Sequence, residues 1–347
     1  MAIIQPFKAR RPQAQYAKQV ASRPYDVLNS AEAKIEAQGN PSSFLHITKS
    51  EIDLPETTDT HSQQVYDRAK ENLDAFIKRD ILFREDKDCY YIYRLIMNGR
   101  SQTGLVCISS IADYENDVIK KHEFTRPEKE QDRISHIKTT GAQTGNVFMA
   151  YRNVAALDKI IDNWVATKSA VYNFTADDGI EHAVWIISNA DIAKKVTEIF
   201  AADVPCTYIA DGHHRAASAA KVLTALGDKA TPQAGYFLTT LFPESQLQIM
   251  DYNRVVKTLN GHTAAELLHL LSEQFVVEEN GNNAYRPEQL HTFGFYVAGR
   301  WYKLTAKEGA YNNDPIGVLD ITILQENILA KFLDIHDQRT DKNIDFV

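Results

Sequence analysis

Five consecutive residues, Asp211-Gly212-His213-His214-Arg215, bring a carboxylate, a glycine, two imidazoles and a guanidinium together. Before them stands Cys206-Thr207-Tyr208-Ile209-Ala210, rich in strand formers; after them comes Ala216-Ala217-Ser218-Ala219-Ala220-Lys221-Val222-Leu223, rich in helix formers. The pattern predicts a strand, a tight turn and a helix N-terminus. Gly212 lets the backbone turn sharply and lets a ligand come close. First-turn amides, imidazoles and a guanidinium suit an anionic oxygen, phosphate above all. Cations at a helix N-terminus oppose the dipole, so a bound anion explains them better than a solvated turn does. Asp211 has two readings: an N-cap, or a ligand to Mg²⁺ through an oxygen or a water. Gly227 marks the helix stop.

The rest of the chain must position that turn. Its 347 residues suffice for two domains or for one domain with large additions. With 44% hydrophobic and 24% charged residues the composition is that of a globular enzyme. A formal charge of −8 argues against bulk binding to nucleic acid or anionic membrane. Cys89, Cys107 and Cys206 show neither metal-ligand spacing nor a disulfide framework, which fits a reducing cytoplasm. The N-terminal apolar segment is too short for a signal peptide, and no run approaches a transmembrane span.

Helical spacing predicts helices over 31–37, 65–77, 113–121, 155–166, 190–201, 264–274 and 319–333, with another opening at Pro127. Strands are predicted over 44–48, 147–151, 234–242, 247–256 and 275–278. Hairpins are predicted over 89–109 around Asn98-Gly99, over 170–187 around Asp177-Asp178-Gly179 and over 293–305 around Gly299-Arg300. The tail ends in a strand-like run, Ile344-Asp345-Phe346-Val347. Interleaved helices and strands give the class α/β (α+β). The expected core is a small mixed sheet with 206–210 as its central strand. The helix from His213 would pack on one face through Ala217, Ala220, Val222 and Leu223.

Asp211-Gly212-His213-His214-Arg215 on such a turn resembles the phosphate loop of ParB partition proteins, sulfiredoxin and the free serine kinases, the last most of all. Those kinases carry an upstream Pro-His-Glu-type stretch before a helix, with the glutamate as base. Lys121-His122-Glu123-Phe124, before the helix at Pro127, is similar in order and character. Over nearly its whole length the chain also resembles domain-of-unknown-function family 1015. That likeness rests on Pro24-Tyr25-Asp26-Val27, Asn40-Pro41-Ser42-Ser43-Phe44-Leu45-His46-Ile47, Lys120-Lys121-His122-Glu123, the central turn, and Leu241-Phe242-Pro243 through Asn253-Arg254-Val255-Val256. It implies chains that run on past Val347, so that a terminal segment would be missing here.

The resemblance implies a ParB/sulfiredoxin-like core over 111–255, with an insertion near 155–200. An N-terminal α/β region over 1–110 and a C-terminal one over 256–347 would flank it. It implies ATP or ADP with Mg²⁺, and transfer of the γ-phosphoryl group to a small hydroxy metabolite such as L-serine. Such transfer needs mainly positioning and charge neutralisation. Asp211, Gly212, His213, His214 and Arg215 would hold the nucleotide, with Asp211 as the metal ligand. His213 or His214 would donate to the moving group, and Glu123 would accept the hydroxyl proton. Glu123 also reads as a solvated acid among many; Glu51 and Asp26 come next as bases. The other class of function is a ParB-like nucleotide switch, disfavoured by the charge and by the lack of a basic recognition helix. Its expected partners are a nucleotide and a small molecule, with neither nucleic acid nor membrane, and a homo-oligomer is compatible with the reading.

Several other residues carry weaker readings. Zinc on His122, Glu123, His213 and His214 is the poorer account, since adjacent histidines diverge. Arg126, Arg133 and Arg254 read as contacts to an acidic substrate or as surface ion pairs. Asp26 reads as a plain turn residue or a cleft acid, and His136 and His182 as structural or solvated.

Overall fold

In the computed structural model, which describes every residue except 124, 126, 339 and 347, two compact units divide at residue 248: Met1–Gln248 and Ile249–Val347. Among the described residues of the first, nine strands form one mixed sheet. In chain order they are Ile4–Gln5 (β1), Tyr90–Met97 (β2), Arg100–Ser110 (β3), Ile119–Lys120 (β4), Val147–Tyr151 (β5), Tyr172–Thr175 (β6), Glu181–Ile187 (β7), Thr207–Asp211 (β8) and Tyr236–Pro243 (β9). In space they run β4-β8-β5-β9-β3-β2-β7-β6, and β1 also pairs with β3. The pairs β8–β4 and β9–β5 are parallel and the others antiparallel. The class is therefore mixed α/β.

The hairpin signal at Asn98-Gly99 is met: both residues have positive φ, 52° and 77°, and join β2 to β3. Asn29 and Glu32 close a reciprocal cap at the start of Ser30–Glu36. The helices that matter for the site are Gln63–Lys78 (α1), Pro127–Thr140 (α2) and His213–Leu226 (α3). α2 packs against both α1 and α3. Ala216, Ala217, Ser218, Ala219 and Ala220 are buried, so small side chains let α3 lie close to its neighbours.

The strand before the turn is not central. β8 is second from an edge, with only the two residues of β4 outside it. The middle of the sheet lies at β9 and β3, because the 90–110 and 172–187 hairpins extend it on the far side. The sheet is thus larger than the small one expected. The expected division at 110/111 falls at the end of β3, inside this sheet.

Residues 44–48 form a helical turn, Leu45–Thr48, instead of a strand. Leu45 and Ile47 are fully buried in two different apolar clusters, one with Leu28, Ala33 and Ala37, the other with Val20, Leu73 and Phe76. The helix expected over 113–121 covers only Ile111–Glu115, after which the chain pairs as β4. Of the strand expected over 247–256, only Arg254–Val256 forms; apolar composition misled there, since Ile249 is 97% exposed.

In the second unit Phe275–Gly281, Arg300–Ala306 and Thr292–Val297 form an antiparallel sheet in that spatial order. The hairpin turns at Ala298-Gly299, one residue before the expected pair. Its core joins Leu267, Phe275, Leu304, Ile323 and Leu329. The helical run from Asp320 to Leu333 contains a π turn at Gln325–Leu329. Ile344–Phe346 pairs with Arg254–Val256, and Val347 lies outside the described residues.

Candidate functional site

The turn is set by strand geometry and by one glycine. The register of β8 against β5 slips between Ile209 and Asp211, a bulge of the kind that re-aims side chains at sites. Gly212 has φ 95° and ψ 29°, and a Cβ there would stand 3.3 Å from Val147 Cα. Conformation and space both demand glycine. Gly212 is itself the N-cap of α3 and no side chain caps the helix, so the capping role expected of Asp211 is not realised. Asp211 ends the strand, and its carboxylate lies 3.2 Å from Arg215 Nη2.

His213 is 4% exposed at the first position of α3. The His122 backbone N–H donates to its Nε2 at 3.4 Å, and the two rings meet edge to face with centroids 4.4 Å apart. With Nε2 accepting, the neutral ring carries its proton on Nδ1. That nitrogen lies 3.6 Å from Glu123 Oε2. Burial pushes His213 below the usual imidazole value and His122 adds to the effect, against Glu123 and Asp211. A neutral imidazole therefore stands beside a carboxylate whose side chain is 58% exposed. The arrangement can orient Glu123 and leave it open to accept a proton.

Behind the turn, α2 is tied to α3 by polar bonds. Ser218 Oγ donates to the carbonyls of His214 and Glu130, at 2.6 and 3.2 Å. The Lys221 ammonium bonds the Glu130 carboxylate, which is buried. Against the push of burial, Lys221 and Thr125 hold Glu130 below the usual carboxylate range. These bonds give Lys221 a partner and show one acid of the charged helix to be internal.

Arg215 faces a different set of groups. Its Nη2 donates to Asp26 Oδ2 at 2.6 Å, and its Nη1 donates to the Asn146 carbonyl. Asp26 sits on the short turn Tyr25–Val27, as its turn reading has it, and from there its carboxylate reaches Arg215. The Tyr25 ring lies 5.7 Å from the Arg215 guanidinium and 4.1 Å from that of Arg133. Arg133 pairs with Asp132 at 2.6 Å, yet its side chain is only 12% exposed, so it is no surface ion pair. Arg215 Nε and Arg133 Nη1 are buried and lack a hydrogen-bond partner among the described residues. Arg133 was legible as a candidate contact to an acidic substrate, while Tyr25 and Asn146 were not: each meets Arg215 across a long sequence separation, and only the Pro24-Tyr25-Asp26 turn hinted at Tyr25.

The remaining candidates divide between this region and the scaffold. Glu51 pairs with Lys49 at 3.0 Å and accepts from Ser30 Oγ at 2.9 Å. His136 is buried and its Nε2 bonds the Ile47 carbonyl at 2.9 Å. His182 stacks on Tyr93 and Phe174 of the two strands flanking its own, a structural placement. Arg254 lies in the second unit, over Tyr252 and Phe346, and Arg126 lies outside the described residues.

Among the described residues no group of three or more His, Cys, Asp or Glu side chains is arranged to hold a metal ion. Mg²⁺ commonly uses one or two carboxylates, and the exposed Asp211 carboxylate, 3.2 Å from Arg215 Nη2, is one that could serve. No helix among the described residues is long and apolar enough to cross a membrane.

A family model described as "Protein of unknown function (DUF1015)" matches residues 4–322, across both units and every motif quoted above for that family. The chain belongs to DUF1015. No curated protein and no solved structure matches it.

Proposed function

We propose that this DUF1015 chain is a cytoplasmic ATP-dependent phosphotransferase acting on a small hydroxy metabolite, with free L-serine the first acceptor to test. The observation that carries the reading is the 3.6 Å approach of Glu123 Oε2 to His213 Nδ1 on the first turn of α3. A carboxylate that can take a proton thus stands at a helix start that attracts phosphate. In this reading His213 stays neutral and orients Glu123, which accepts the hydroxyl proton as phosphorus is attacked. The backbone at Gly212–His214 and the His214 ring hold phosphate oxygens. Asp211 meets the Mg²⁺ carried by the nucleotide. Arg215 reaches a phosphate by exchanging Asp26 for it.

Incubation with ATP, Mg²⁺ and a pool of hydroxy metabolites, read by mass, tests the reading. A gain of one phosphate on an acceptor, dependent on Glu123, supports it. No gain on any acceptor, with nucleotide bound, refutes it.

One observation favours a second reading, a ParB-like nucleotide switch without a metabolite acceptor. The Asp26 carboxylate occupies the Arg215 fork, so a triphosphate that displaced it would free the 25–27 turn. Nucleotide-dependent exposure of that turn to proteolysis, without phosphorylated product, would distinguish this case.

A further inference from the structure

We propose that Asn146 is a positioning residue of the phosphate site: its carbonyl holds Arg215 at the turn while the arginine exchanges Asp26 for a phosphate oxygen. The inference rests on the functional reading above, in which Arg215 takes that oxygen, and it names the part of the chain that keeps the guanidinium in place.

The partners of Arg215 differ in how firmly they are held. Its Nη1 donates to the Asn146 carbonyl, whereas Nη2 is shared by the carboxylates of Asp26 and Asp211, at 2.6 and 3.2 Å. Asp26 lies on the short turn Tyr25–Val27, and both carboxylates are exposed to water, so an incoming anion can replace them. Asn146 is anchored instead. Its Nδ2 donates at 2.9 Å to Oγ1 of Thr240, which is buried in β9 at the middle of the sheet. Gln143 grips the same strand: its Nε2 donates to the Tyr236 carbonyl at 3.0 Å, and its Oε1 accepts from the Leu238 N–H at 2.8 Å. Those two bonds precede the ladder of β5 with β9, which starts at Val147 and Thr239. Two side-chain amides thus fix the loop to β9, and the carbonyl it presents stays when Asp26 leaves.

Gly145 completes the fit. A Cβ there would stand 3.2 Å from Arg215 Cδ and 3.9 Å from the Tyr25 ring, so glycine lets the arginine stem lie against the loop. A free arginine loses rotamer freedom when it grips an anion, and one already held at Nη1 and along its stem loses less. The exchange is then confined to Nη2, and the planar fork keeps its orientation.

Titration calorimetry of ATP with Mg²⁺ on the full chain tests this. Asn146→Ala keeps the carbonyl but frees the loop from Thr240, and should weaken ATP binding about three- to tenfold. Thr240→Val removes the same bond from the other side and should weaken it as much. Thr240→Ser keeps the hydroxyl and should retain the parent affinity. A merely structural role is separated by a double-mutant cycle. In an Arg215→Ala background, Asn146→Ala should change ATP affinity no further, because its effect passes through the guanidinium. Should Asn146→Ala fail to fold by circular dichroism, the two Thr240 variants decide. Folded Asn146→Ala and Thr240→Val that bind ATP as tightly as the parent overturn this inference alone, as does an equal further loss in the Arg215→Ala background. A parent that binds no ATP overturns the functional reading and this inference with it.

Discussion

The carboxylate of Asp26 and the guanidinium of Arg215 meet at 2.6 Å across 189 residues of chain. The contact joins an N-terminal turn to the first turn of α3. A charge-assisted pair of this length is strong, and the Arg215 side chain is mostly shielded from water. On the proposed reading, Asp26 is a stand-in that fills the fork of Arg215 where a phosphate oxygen would lie.

Removing that stand-in should therefore help the nucleotide. Asp26→Asn is expected to tighten binding of ATP by about tenfold, because the fork no longer exchanges one anion for another. Arg215→Ala is expected to cost roughly 1.5–3 kcal/mol of nucleotide binding. Titration calorimetry on both folded variants checks the pair. Unchanged affinity in each would leave Arg215 a structural clamp and take it out of the phosphate site.

Gly212 is the second point of test. Its φ of 95° lies in the region that favours glycine, and a Cβ would press on Val147 Cα at 3.3 Å. Gly212→Ala should lower stability by about 1–3 kcal/mol and loosen the turn. Denaturant unfolding measures the first effect, and the loss of ATP binding in the folded fraction measures the second. A variant as stable as the parent would show that the turn relaxes without cost.

How much of this could be read from the sequence follows the range of the forces involved. The strand-turn-helix at 207–226 was legible because each part is local: β-formers, a glycine, then alanines. So was the Asn98-Gly99 hairpin. Glu123 was placed near the turn by motif order alone, and the structure brings its carboxylate to 3.6 Å from His213. The sheet position of β8 was not legible, because strand order depends on which distant strands are added at the edges. Leu45 and Ile47 alternate as in a strand, and only tertiary packing into two separate clusters makes that segment a helical turn. The stack of Arg133 on Tyr25 joins two elements more than a hundred residues apart in sequence order, and no local pattern announces it.

His136 makes the pH dependence of stability testable. Burial, with Arg133 adding, lowers its value from 6.5 to about 4. The unfolded imidazole takes its proton near pH 6.5 and the folded one only near 4, so between those values the unfolded state binds more protons. Stability is then complete above pH 6.5 and is lost as pH falls toward 4, by up to roughly 3 kcal/mol. Unfolding free energies measured from pH 7 to 4 should show that slope, and His136→Gln, which can still donate to the Ile47 carbonyl, should flatten it. An equal slope in the variant would assign the effect to other groups.

The sharpest test falls on Glu123. Its carboxylate is more than half exposed, while the His213 ring beside it is buried and fixed by the His122 N–H. His213 Nδ1 lies 3.6 Å from the carboxylate, beyond hydrogen-bond distance, and on the proposed reading an acceptor hydroxyl approaches that carboxylate. A serine hydroxyl is a weak nucleophile at neutral pH and gains from a base in that position. Glu123→Gln keeps the shape and the contact with His213 but cannot take the proton. Turnover on the acceptor identified by mass should fall by about 10²–10⁴-fold. ATP affinity should hold, because the reading places the phosphates on the backbone at 212–214. Lowering the pH should also slow the parent, since protonating His213 costs Nε2 its role as acceptor for the His122 N–H. Steady-state rates with a parallel ATP titration separate these effects. Full turnover in Glu123→Gln would move the base to another acid, Asp26 or Glu51, while loss of ATP binding together with turnover would make Glu123 a structural residue of the turn.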